Sequence, residues 1–77
     1  MTIEQFISNF ESSIEGLEPG SIRSDTVFKD LPAWDSLALL MTLAMVDVEY
    51  GVTISGNEII ACITIQNLFD AVNAKRG

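Results

Sequence analysis

The chain has 77 residues, room for one domain around one small core, and 48% of them are hydrophobic, too many for a disordered chain. Lys and Arg number 4 against 11 Asp and Glu, a net charge of −7, so the surface repels nucleic-acid backbones and anionic lipid and favours basic proteins as partners. Cys62 is the only cysteine, which excludes an internal disulfide and fits a reducing, cytoplasmic setting.

The N-terminal residues show no basic segment followed by an apolar run, so no signal peptide is expected. Thr2, with Gln5 three residues on, is a capping-box pattern. Ile3, Phe6, Ile7, Phe10, Ile14 and Leu17 then recur at steps of three and four, which predicts a helix from about Ile3 to Leu17. Glu4, Asn9, Glu11 and Glu15 are expected to face water. Pro19-Gly20 breaks the pattern, and the stretch from Glu18 to Trp34 has no sustained period. A connection that long is usually functional or pinned by its own side chains, here by Phe28 and Leu31. Trp34 has two assignments, packing on this loop or contact with a ligand or partner.

Asp35 is a good N-cap for a second helix over Ser36–Tyr50, which Gly51 ends as a C-cap glycine. Val52-Thr53-Ile54 is locally extended, "SGNE" marks a turn, and Glu58 to Cys62 forms a short helical turn. Thr64 caps a last helix containing Ile65, Leu68, Phe69 and Val72, with Lys75 and Arg76 at the end where positive charge suits the helix dipole. The expected fold is one all-α domain over residues 1–77, a small four-helix bundle of three main helices and a short one with a long first loop. No apolar stretch reaches the roughly 20 residues that span a bilayer.

The second helix is apolar nearly all round. On a 3.6-residue wheel Leu39, Leu43, Val46 and Tyr50 form one face, and Leu37, Leu40, Met41, Ala44 and Val48 an almost opposite one. Three other helices in so short a chain do not wrap it completely. One face therefore looks outward as a docking patch, with Asp47 at its edge; the alternative is that both faces pack within the bundle or a homodimer.

Enzymatic readings fail on inventory. With no histidine and one cysteine there is no zinc set. Ser36 has no base nearby except Asp35, and there is no GxSxG, phosphate loop or dinucleotide glycine pattern. Asp47 and Glu49 are two apart on a helix and point to different faces. What remains is a serine at a helix N-terminus, where free N–H groups and the dipole favour a phosphate. A plain helix-start residue is the alternative for Ser36, and a small buried hydrophobe is the expectation for Cys62.

These residues resemble the acyl carrier protein family, the phosphopantetheine-binding carriers of fatty acid, polyketide and nonribosomal biosynthesis. The likeness lies in "DSL" at Asp35–Leu37 after "FKDLPAW" at Phe28–Trp34, in "YGVTI" at Tyr50–Ile54, and in "ITIQNLFDAV" at Ile63–Val72; it covers essentially the whole chain. The resemblance implies that the chain is a monomeric carrier, not an enzyme. It implies that Ser36 receives 4′-phosphopantetheine from coenzyme A through a phosphopantetheinyl transferase with magnesium, with Asp35 helping the transferase dock. The arm's thiol then holds acyl or aminoacyl groups as thioesters and presents them to loading and acyl-transferring enzymes. The chain departs from the family's acidic second helix, because Ala38, Met41 and Val48 stand where acids are often found. A specialised pathway is therefore expected, with docking through apolar contact at Leu37, Leu40, Met41, Ala44 and Val48. The second reading is a helical interaction module that uses this face without a prosthetic group.

Overall fold

The computed structural model describes residues 2–76. Four helices follow in chain order: α1 (Ile3–Ser13), α2 (Ser36–Tyr50), α3 (Gly56–Ala61) and α4 (Ile65–Arg76), with one 3-10 turn at Phe28–Asp30 in the long first loop. The chain is the expected small all-α bundle.

Each helix start is fixed by a side chain that serves otherwise unpaired backbone donors. Thr2 Oγ1 accepts from the Gln5 N–H at 3.2 Å while Gln5 Oε1 accepts from the Thr2 N–H, closing a capping box. Asp35 Oδ1 accepts from the Ala38 N–H at 2.8 Å. Ser55 and Glu58 form a second capping box, which starts α3 two residues earlier than the expected Glu58 and ends it at Ala61 rather than Cys62. Thr64 Oγ1 accepts from the Asn67 N–H and Asn67 Oδ1 accepts from the Thr64 N–H, so Thr64 caps α4 as expected. Gly51 closes α2 with φ 65°, a left-handed conformation that glycine adopts without a Cβ penalty.

The first helix is shorter than its apolar period. It stops at Ser13, and Ile14 is already extended. Gly16 takes φ 95°, which redirects the chain, and a Cβ there would lie 3.7 Å from that of Ala33. Ile14 and Leu17 still contact the core, but from the loop rather than from a helical face.

The core is built from Phe6 and Phe10 of α1, Val46 of α2, Ile59 of α3, and Ile65, Leu68 and Val72 of α4, with Phe28 plugged in from the loop; all eight are fully buried. Burying each such side chain contributes roughly 1.5–3 kcal/mol. Val52 and Ile54 are buried on either side of exposed Thr53, so the short extended link also packs inward.

Two residues go where the sequence pattern did not put them. Glu11, expected in water, is buried, and its Oε2 accepts from the Ile22 N–H at 2.9 Å. Ala38, placed with the surface positions by the family likeness, is 3% exposed and belongs to the core. The inward face of α2 runs through Ala38, Thr42, Met45 and Val46, while Leu39, Leu43 and Tyr50 are half-buried. Thr42 is fully buried, and its hydroxyl donates to the Ala38 carbonyl at 2.9 Å, so this polar atom carries no unpaired cost.

Candidate modification site at the start of helix 2

The loop that leads to Ser36 is held at several points. Phe28 sits edge-on to Phe10 at 6.0 Å and to Trp34 at 5.0 Å, and Trp34 stacks on Phe10 at 6.3 Å. Trp34 is thus part of the loop's aromatic anchor. Leu31 is half-buried beside it. Glu11 holds the loop's first half to α1 through Ile22. The second half is stitched to α4: the Ile65 N–H donates to the Thr26 carbonyl at 3.1 Å, and the Gln66 N–H donates to the Ser24 carbonyl at 2.9 Å. Lys29 Nζ donates to the Ile60 carbonyl at the end of α3. A loop tied to three helices delivers the next residues, Asp35 and Ser36, in a defined place.

Ser36 is exposed and is the first residue of α2. The first backbone bond of the helix runs from the Leu39 N–H to the Asp35 carbonyl, and Asp35 Oδ1 takes the Ala38 N–H. The N–H groups of Ser36 and Leu37 have no partner within the helix. An anionic oxygen attached at Ser36 would meet these donors and the positive end of the helix dipole. Asp35 is exposed, but one of its oxygens is committed to the cap.

Outward from Ser36 lies the apolar face. Leu37 is 58% exposed, Leu40 60%, Met41 42% and Val48 79%; Ala44 and Asp47 are exposed as well. The expected docking residues therefore share one open surface of α2. The sequence reading missed two further exposed apolar residues, Ile60 of α3 and Ile63 just beyond it, each 60% exposed. Their signal was the pair Ile59-Ile60 in a helix of barely two turns, where only one of two successive residues can face inward.

Cys62 is buried, and its Sγ donates to the Glu58 carbonyl at 3.3 Å; burial pushes its thiol up from the ordinary range. Glu58 lies 3.1 Å from Lys75 Nζ, and this hydrogen-bonded ammonium holds its carboxyl below the usual carboxylate value.

Compared with protein-family models, curated proteins and solved structures, the chain has no significant match. No helix among the described residues is long and apolar enough to cross a membrane.

Proposed function

We propose that the chain is a carrier protein whose Ser36 is esterified with 4′-phosphopantetheine, and which presents acyl or aminoacyl groups to pathway enzymes. The observation that carries this reading is the combination at the start of α2: an exposed hydroxyl, free helix-terminal donors beside it, and a loop fixed by Phe28, Trp34 and Glu11 that holds the hydroxyl at the surface. The donor set fits a phosphodiester, because backbone N–H groups and a dipole stabilise a negative charge without a paired cation.

Attachment forms a bond from Ser36 Oγ to phosphorus and breaks the phosphoanhydride of coenzyme A, releasing adenosine 3′,5′-bisphosphate. The proton of Ser36 Oγ goes to a base of the transferase. This explains how a serine with no histidine in its own chain serves as a nucleophile once. When bound, the arm supplies a terminal thiol that carries cargo as a thioester. The chain's own contribution is to orient Asp35 and Ser36 toward the transferase and to offer Leu37, Leu40, Met41, Ala44 and Val48 to basic loading and transferring enzymes. Asp35 and Asp47 stand toward opposite ends of that apolar patch, so a matching partner surface is apolar at its centre and basic at its ends.

Intact mass after incubation with a broad-specificity phosphopantetheinyl transferase, magnesium and coenzyme A tests the reading. The expected result is a gain of one phosphopantetheine group that disappears in Ser36→Ala. No gain, or a gain that survives Ser36→Ala, overturns it. The exposure of the α2 patch also supports a second reading, an interaction module without a prosthetic group. That reading requires partner binding by the unloaded chain, unchanged by Ser36→Ala.

A further inference from the structure

The space inside the bundle is filled. The nine largest fully buried side chains among the described residues come from all four helices and from the first loop, Phe28 and Thr42 among them. Four hollows of about 290 to about 480 Å³ open at the surface. Each has a charged side chain in its lining, and none of the nine lines any of them. Just before Ser36, the Trp34 indole stacks on Phe10 and stands edge-on to Phe28, so three rings occupy that end of the interior. On the α3 side of α2, even a methyl at Gly56 would lie 4.0 Å from Leu39 Cδ2, in van der Waals contact, and Ile59 is fully buried. The short α3 is fastened from two sides. Lys29 Nζ, from the loop, donates to the Ile60 carbonyl. Lys75 Nζ, from α4, lies 3.1 Å from Glu58, whose carboxylate also closes the Ser55 capping box. Two of the chain's four cations thus hold this six-residue helix.

We propose that this chain's cargo stays in water outside the bundle and is a short or polar acyl group, an inference that rests on the carrier reading and narrows it. A long alkyl chain carried outside the protein leaves its methylenes hydrated, and that unburied apolar surface is unfavourable in proportion to its area. Sheltering it inside requires the bundle to open. Near Ser36 that means displacing the stacked rings of Trp34, Phe10 and Phe28. At α3 it means breaking the Lys29 and Lys75 contacts together with the Leu39–Gly56 packing. A close-packed interior loses dispersion contacts wherever its side chains are pushed apart, so neither route is free of cost. A short or polar group has few methylenes to hydrate and needs neither opening.

The test loads the full chain with a broad-specificity phosphopantetheinyl transferase, once from acetyl-coenzyme A and once from decanoyl-coenzyme A, with intact mass taken on each sample. The two forms are compared by melting temperature, by the NMR methyl signals of Val46, Ile59 and Leu68, and by retention on a hydrophobic-interaction column. The expected result is the same melting temperature, unmoved core methyls, and longer retention of the decanoyl form because its tail is in water. A higher melting temperature with shifted core methyls in the decanoyl form means that the tail is inside. That overturns the cargo class and leaves the carrier reading standing. Equal retention of the two forms does the same, because the tail is then sheltered on the surface. No mass gain from either ester overturns both.

Discussion

Glu11 gives the most direct check on how the loop before Ser36 is held. Its carboxylate is buried at the end of α1 and accepts the Ile22 N–H, itself in a buried setting, at 2.9 Å. Glu11→Ala removes a hydrogen bond to a charged group, worth about 1.5–3 kcal/mol, and leaves a buried amide without a partner. An opposing effect comes from position: a negative charge near the C-terminal end of α1 is unfavourable by about 0.3–1 kcal/mol, and the substitution relieves it. The net loss is roughly 1–2 kcal/mol after that offset. For a domain this small the unfolding entropy is about 0.16 kcal/mol per degree, so Tm falls by about 6–12 °C. Glu11→Gln keeps an acceptor oxygen and removes the charge, so its cost stays within about 0.5 kcal/mol. The assay is thermal unfolding followed by circular dichroism, with hydrogen exchange at Ile22 as the local readout. Exchange there accelerates in Glu11→Ala and stays protected in Glu11→Gln. If Glu11→Ala melts with the wild type, or if Glu11→Gln is as damaging as Glu11→Ala, the carboxylate is not the loop's latch.

The two α2 positions that the family likeness placed together should separate on mutation. Ala38→Glu forces a carboxylate into the core and lowers stability by about 3 kcal/mol or more, whereas Met41→Glu at an exposed site changes it by about 0.5 kcal/mol or less; urea unfolding of both distinguishes them. If the α2 patch docks partners as proposed, Met41→Glu weakens binding of an enzyme that loads the chain, measured by calorimetry, and unchanged affinity would show that the patch is not used. The Glu58–Lys75 contact stabilises the α3–α4 junction only while Glu58 is ionised. With the folded carboxyl below its ordinary value, this contribution is present above the ordinary carboxylate range and is lost as pH falls through the lowered folded value. In Glu58→Gln the fall of Tm between pH 6 and acid is correspondingly shallower, on the order of a degree or two for an exposed pair.

Helix starts were legible because their causes are local. Thr2, Asp35 and Thr64 each sit within four residues of the donor they serve; the start of α3 was the exception, because Ser55 lies in what reads as a turn and its capping box with Glu58 was not recognised. The end of α1 was not legible either, because the apolar period runs on through Ile14 and Leu17 while the backbone is already extended at Ile14 and left-handed at Gly16. Glu11 was misread because its partner Ile22 is a long-range one. A local trace of its fate was present, since Glu11 lies four residues after Ile7 and three before buried Ile14. The second helix posed a different difficulty. When nearly every residue is apolar, hydropathy cannot choose a face, and packing decides instead. The seam selects the small Ala38, the self-bonded Thr42, and Met45 and Val46 at successive helical steps, and leaves the larger Leu37 and Leu40 outside. That result also limits the carry-over from the family likeness: Met41 and Val48 lie on the surface where acids would meet partners, while Ala38 does not.

A carrier that holds cargo as a thioester needs one nucleophilic thiol, not two, and Cys62 bears on that requirement. Burial raises its thiol, and at a given pH a raised value means less thiolate and slower reaction. Its Sγ is further occupied with the Glu58 carbonyl at 3.3 Å. The arm's thiol would sit outside the core with neither restraint. Titration with a thiol reagent at neutral pH should therefore find no fast-reacting group in the unloaded chain and one in the loaded chain, with Cys62 joining in both only when urea unfolds the protein. A fast thiol in the folded, unloaded chain would contradict the buried placement of Cys62. It would also give cargo a competing acceptor within the carrier itself, since transfer of a thioester to a neighbouring thiolate is close to neutral in energy and limited mainly by thiolate access.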